Sequence, residues 1–376
     1  MSKYIFLKEV ADIIMGQSPA SSTYNDEGKG LPFYQGKAEF GVRHPIVKKW
    51  CSAPLKIADQ GDILLSVRAP VGPTNICNVK SCIGRVLAAI RCKKNKADHL
   101  FIWFYLRSIE KRIASKGVGS TFTAIGREEI SKIQVPSVNY SVQRKIASIL
   151  EKAESARGKR KEANRLTDEF LKSAFLEMFG DPIRNPKRWI VVQLNDMIQI
   201  ERENIIPEEI KRGTKYIGLE HIESETGKIL DFEIVDTGQI KSNKFKFSSN
   251  HILLGKLRPY LNKVVLPDFT GVCSTDILPI LPKSNIVNKY FIAYLFRHTS
   301  FVDYATKRST GANLPRISPK VVDEFKTYLP SFKLQQKFAE LVQKVEKLKE
   351  KQRGSERELN NLFNSLMQRA FRGELV

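Results

Sequence analysis

The sequence contains no run of 18 apolar residues and no basic-then-apolar leader, which argues against a membrane span and against export. A protein working in the cytoplasm is expected. Its five cysteines (Cys51, Cys77, Cys82, Cys92, Cys273) form no CxxC pair, so free thiols are expected in place of a zinc site or a disulfide framework. Five histidines (His44, His99, His221, His251, His298) never pair at metal-ligand spacing, and no metal site is nominated. Each Gly-Lys pair, at Lys29, Lys37, Lys159, Lys228 and Lys256, precedes a residue other than Ser or Thr, which excludes a phosphate-cradling ATPase loop. A methyltransferase acting on exocyclic amines would need an Asn- or Asp-Pro-Pro-aromatic segment to grip a flipped base. Here Asp181-Pro182 is followed by Ile183, and Asn185-Pro186 by Lys187. Glu209-Ile210-Lys211 and Glu324-Phe325-Lys326 carry the Glu-x-Lys half of a nuclease motif without a counterpart in the other half of the chain. No catalytic residue is nominated.

Acid is scarce as well. Sixty-two Lys and Arg face forty Asp and Glu, a formal net charge of +22, and such a balance points to a polyanionic partner. The deficit is local. From Ile63 to Ala97 there are seven cations (Arg68, Lys80, Arg85, Arg91, Lys93, Lys94, Lys96) and no acid. From Thr237 to Pro267 there are six (Lys241, Lys244, Lys246, Lys256, Arg258, Lys263) and again no acid. Two one-signed stretches in matching places are what two phosphate-facing surfaces require.

The matching places belong to a repeat. GDILLSVRAPVG from Gly61 returns about 190 residues later as NHILLGKLRPYL from Asn250, and FIWFYLRS from Phe101 returns as YFIAYLFR from Tyr290. Leu7, Val10 and Ile13 recur as Leu194, Met197 and Ile200; GSTFTAIG from Gly119 recurs as GANLPRIS from Gly311. A unit of this length is a complete module, far beyond a solenoid repeat. The expected domains are 1–138, 139–183, 184–331 and 332–376. Each head should be α+β: short apolar runs such as DILLSV (Asp62 to Val67) and NKVVL (Asn262 to Leu266) are broken by Gly, Pro, Asn and Asp, and one amphipathic helix interrupts them near Phe101 and near Lys289.

Each module closes in a proline-free stretch, Ser141 to Gly180 and Phe332 to Arg372, predicting two long helices. Val142, Ile146, Ile149, Ala153, Arg160 and Phe170 fall on alternating three- and four-residue steps, and an offset of 192 gives Leu334, Phe338, Leu341, Val345, Gln352, Leu359, Leu362 and Leu366. A shared heptad seam predicts an antiparallel coiled coil with a pseudo-twofold axis, the polar Arg160 and Gln352 meeting near its middle.

These residues resemble the DNA-specificity subunits of type I restriction-modification systems. LPFYQGKAEFG (Leu31 to Gly41), YIGLEHIESETGKI (Tyr216 to Ile229), LLGKLRPYLNKVV (Leu253 to Val265), FLEMFGDP (Phe175 to Pro182) and SLMQRAFRGEL (Ser365 to Leu375) carry the resemblance, which spans essentially the whole chain. It implies a non-catalytic reader of double-stranded DNA. Each head would be a target-recognition domain for one half of a split, asymmetric site, and the helices would set the gap. Two methyltransferase subunits using S-adenosylmethionine, and restriction subunits using ATP and Mg²⁺, would assemble around it; this chain would bind no cofactor and no membrane. A stand-alone bivalent DNA-binding regulator or architectural protein remains the alternative.

Base edges need donors and acceptors, and phosphates need cations or small hydroxyls. The first head offers Gln35 and Lys37 beside Tyr34, then Arg68, then Ser120, Thr121 and Thr123 in a glycine-bearing loop with Arg127 behind it. The second offers Lys215, Tyr216 and Glu220, then Lys256, Arg258, Tyr260 and Lys263, and finally Lys307, Arg308, Ser309, Thr310 and Arg316.

Overall fold

The short apolar runs of each head become two small sheets in a computed structural model that describes residues 4–116, 124–236 and 238–375. In the first head an antiparallel sheet orders its strands as Ala11–Met15, Leu87–Cys92, Ile63–Ser66 and Thr74–Ile76. The second head repeats it with Ile198–Ile200, Ile277–Pro282, Ile252–Gly255 and Val264–Val265. The central strands are buried on both faces, so their sequences read as continuous apolar runs without alternation.

The other sheet is built around a parallel pair, Leu31–Tyr34 with Ser81–Ile83 and, in the second head, Thr214–Ile217 with Gly271–Cys273. One antiparallel strand flanks the pair on each side in both heads. The fifth strand has changed edges. Tyr24–Asn25 adds beside Trp50–Cys51, whereas Asn204–Ile205 adds beside Lys244–Phe247, on the opposite side of the pair.

All five cysteines are free. Burial pushes the thiol of Cys82 up to about 11 and that of Cys92 to about 12, so both stay protonated at neutral pH. No helix among the described residues is long and apolar enough to cross a membrane.

The two long helices run over Tyr140–Phe179 and Phe332–Arg372. Two compact units divide midway along both: residues 1–160 with 354–376, and residues 161–353. In the first unit, Ile146, Ala147 and Leu150 join Phe363 and Ala370 in one core with the head helix residues Phe101 to Leu106. Arg157 Nε donates to Asn360 Oδ1 at 2.7 Å, and the guanidinium lies 4.5 Å from the Phe363 ring centre. In the second unit, Phe338 packs on Phe175 and Phe179, with ring centres 5.6 and 5.3 Å apart, while Lys349 pairs with Asp168 at 2.7 Å. Within this unit, numbers rise along one helix as they fall along the other. The pairing is antiparallel.

The seam differs from the sequence register in one of its two lines. Ile146, Phe338, Val345 and Gln352 are buried, and Ala153, Arg160, Leu359 and Leu366 are half-buried. Phe170 and Leu362, however, are 50% and 51% exposed, and Leu171 and Phe363 take their places at 1% and 5%. Likewise Val142, Ile149, Leu334 and Leu341 are half-buried beside the deeper Gln143, Leu150, Gln335 and Val342. This line runs through polar residues, Gln143, Arg157, Gln335 and Lys349, each with a partner inside its own unit; a search for apolar spacing therefore settles one residue too early. Gln352 has a partner within its own unit. Its amide donates to Thr167 Oγ1 at 3.2 Å.

The register has a direct test. Phe363→Ala removes a fully packed ring and should cost about 3–5 kcal/mol, whereas Leu362→Ala should cost under about 0.5 kcal/mol; equal losses in chemical denaturation would contradict the seam.

Candidate nucleic-acid interface

Three loops meet at one edge of each head through the same backbone hydrogen bonds. In the first head, Gly84 N–H donates to the Tyr34 carbonyl (2.9 Å), Val67 N–H to Val86 (2.9 Å), and Ile125 N–H to Val67 (3.0 Å). In the second, Ser274 N–H donates to Ile217 (2.9 Å), Lys256 to Asp276 (2.9 Å), and Ile317 to Lys256 (3.0 Å). The turn after the parallel strand is capped in both. Gly36 N–H donates to Glu39 Oε2 at 2.9 Å, and Gly218 N–H to His221 Nδ1 at 3.0 Å. Conserved geometry on diverged side chains is the organising feature of this edge.

Gln35, Lys37, Arg68 and Arg127 are all exposed. Arg68 forms a β-bridge with Ala124, which brings the 68 loop beside the one leading to Arg127. Ser120, Thr121 and Thr123 lie outside the described residues. The Ala69-Pro70 peptide is cis, while the corresponding Arg258 is left-handed (φ 51°) and Pro259 opens a short 3-10 turn to Leu261. The shared proline thus serves two different turns.

In the second head the nominated cations divide into engaged and exposed. Lys215 Nζ sits 4.7 and 4.5 Å from the ring centres of Phe232 and Phe269, and Lys263 Nζ donates to the Leu219 carbonyl at 2.6 Å. Both brace the head. Tyr216 is half-buried; desolvation, with Glu220 and Glu233 adding to it, pushes its phenol up to about 12, so it stays neutral and can still donate. Arg258, Tyr260, Lys307 and Arg308 are exposed, Arg308 lying 4.0 Å over the Tyr304 ring. Ser309 Oγ donates to the Thr306 carbonyl at 2.7 Å. Thr310 and Arg316 exchange two backbone hydrogen bonds of 2.9 Å, and Lys256 and Arg316 converge on Asp276 at 3.9 and 3.2 Å.

Asp276 was not legible as a site residue, because it lies beyond the acid-free stretch, in a segment from Val264 to Pro282 that carries no cation and draws no attention by composition. Aligning Gly84-Arg85-Val86 with Ser274-Thr275-Asp276 would have found it. Glu220, His221 and Glu233 bring one ligand atom each within 4.8 Å of one another, the only such group among the described residues. The carboxylates are exposed and the His Nδ1 already accepts the Gly218 N–H. They meet through folding, which sequence spacing cannot reveal.

A family model for the type I restriction modification DNA specificity domain matches the chain twice, at residues 2–166 and 186–361. The chain belongs to this family. The putative type I restriction enzyme MjaX specificity subunit of Methanocaldococcus jannaschii is 49% identical over 138 residues, 37% of this chain and 32% of that protein. The EcoDI specificity subunit of Escherichia coli is 27% identical over 317 residues, 73% of this chain and 70% of that protein. The type I specificity-family fold is shared with the S subunit from M. genitalium at 15% identity, with a TM-score of 0.60 over 99% of this chain and 96% of the other.

Lys263→Met, which strips the ammonium from the Leu219 carbonyl, should lower the stability of the second unit by about 1–2 kcal/mol. Arg68→Ala should leave thermal unfolding unchanged. A destabilising Arg68→Ala would show that this side chain serves the fold.

Proposed function

We propose that the chain is the non-catalytic DNA-specificity subunit of a type I restriction-modification complex acting in the cytoplasm. Each head reads one half of a split, asymmetric duplex target through its three-loop edge. The reading rests on one observation above the others: the loops are held by the same hydrogen bonds in both heads and carry different side chains. Such a pair of surfaces suits two unlike half-sites read by one device. The acid-poor stretches supply phosphate attraction, and the exposed Gln35, Arg68, Arg258 and Arg308 are of types that reach base edges or phosphates.

The paired helices set the gap. A helix of 40 residues spans about 60 Å at ~1.5 Å per residue, enough to accommodate half-sites one DNA turn apart, ~34–36 Å. Leu166, Phe170, Leu348 and Leu362 remain exposed along the helices, and exposed apolar residues of this size suit protein partners. Two methyltransferase subunits dock there, supplying S-adenosylmethionine chemistry. Restriction subunits with ATP and Mg²⁺ join them. The chain itself contributes recognition and scaffolding.

Exchanging residues 1–138 for the first head of another family member tests the modular reading. Sequencing of methylated DNA from cells carrying the chimera and its methyltransferase should show one half of the motif replaced and the other retained. Changes in both halves would sink it.

A further inference from the structure

Lys256, Asp276 and Arg316 occupy three backbone positions that have counterparts in the first head. The N–H of 256 donates to the carbonyl of 276, as Val67 does to Val86, and Arg316 bridges Leu257 as Ala124 bridges Arg68. The first head therefore carries Val67, Val86 and Ala124 where the second carries a cation, an anion and a cation. The fold closes the same way with either set. An ion trio that the framework can do without, with side chains 25%, 29% and 44% exposed, also contributes little to stability. Its presence calls for another role.

Geometry supplies one. Arg316 is fixed twice, through its backbone by two hydrogen bonds to Thr310 and through Nε by Asp276 Oδ1 at 3.2 Å. Holding Nε leaves the two Nη nitrogens without a hydrogen-bond partner among the described residues, and they form a planar pair of donors at an exposed edge. A paired donor of this kind matches guanine O6 and N7 in the major groove. A carboxylate on a DNA-facing edge repels phosphate; one that spends its charge orienting an arginine offsets that penalty, and the nearby Lys256 keeps the trio at a net positive charge.

We propose that Arg316, braced by Asp276, reads a guanine in the half-site met by the second head, with Asp276 as its positioning residue. The assignment rests on the DNA-specificity reading and names one base within it. In the first head the same three positions offer no charged donor, so its half-site is read there by other means.

The test is selection of binding sites from a randomised duplex DNA library by the full-length chain. The wild type should enrich a bipartite motif with a near-invariant G·C pair in the second half-site. Arg316→Ala should lower the preference at that pair by roughly ten- to a hundredfold, and Asp276→Asn should relax the same pair, with all other positions kept. A double variant, Asp276→Val with Arg316→Ala, leaves the net charge and Lys256 unchanged; it should remain folded and lose only that pair. An unchanged motif in Arg316→Ala, or uniform weakening at every position in the folded double variant, would overturn the assignment. A wild-type chain that enriches no motif at all would overturn the DNA reading and this assignment with it.

Discussion

A buried glutamine at the start of each long helix ties that helix to its head, and the geometry of both units depends on it. Gln143 accepts the Asp98 N–H at 2.8 Å and donates to the carbonyls of Lys96 and Val138 at 3.1 and 2.9 Å. Gln335 does the same work 192 residues later, accepting from Asn288 at 2.8 Å and donating to Pro330 at 2.9 Å. Asp98 and Asn288 are themselves the N-caps of the head helices, accepting from Phe101 and Tyr290. One side chain therefore joins the segment after the last strand, the start of the head helix and the long helix. Leaving any of these buried groups unpaired would cost about 1–3 kcal/mol, which holds the junction to a single angle.

A fixed junction lets the heads diverge without disturbing the helices. The fifth strand of one sheet has moved to the opposite edge, a proline turn is cis in one head and follows a left-handed arginine in the other, and Val67, Val86 and Ala124 have become Lys256, Asp276 and Arg316. The loop hydrogen bonds persist through all of it. Side chains at that edge can change freely because the backbone bonds beneath them do not use side-chain atoms. The proposed role, recognition of two different half-sites from one scaffold, needs that separation.

The tandem α+β heads and the two long helices were legible because repetition exposes itself in sequence and heptad spacing survives divergence. The exact seam was not. Gln143 and Gln335 are polar residues in a buried line, and apolar periodicity placed Phe170 and Leu362 inward where Leu171 and Phe363 lie. At the interface, exposure of Gln35, Arg68 and Arg258 could be anticipated from loop position. The inward commitments of Lys215 to two phenylalanine rings and of Lys263 to a carbonyl could not, since they link residues far apart in the chain. Asp276 escaped for the opposite reason: its meaning lies in what it holds.

If rigid junctions carry two readers on a fixed spacer, the length of the spacer should appear in the DNA. Inserting one heptad at matching positions in both long helices adds about 10 Å at ~1.5 Å per residue, close to three base pairs at ~3.4 Å each. Methylation-motif sequencing of the altered complex should return both half-sites unchanged with a gap about three base pairs longer. The original gap, read with undiminished efficiency, would contradict the account.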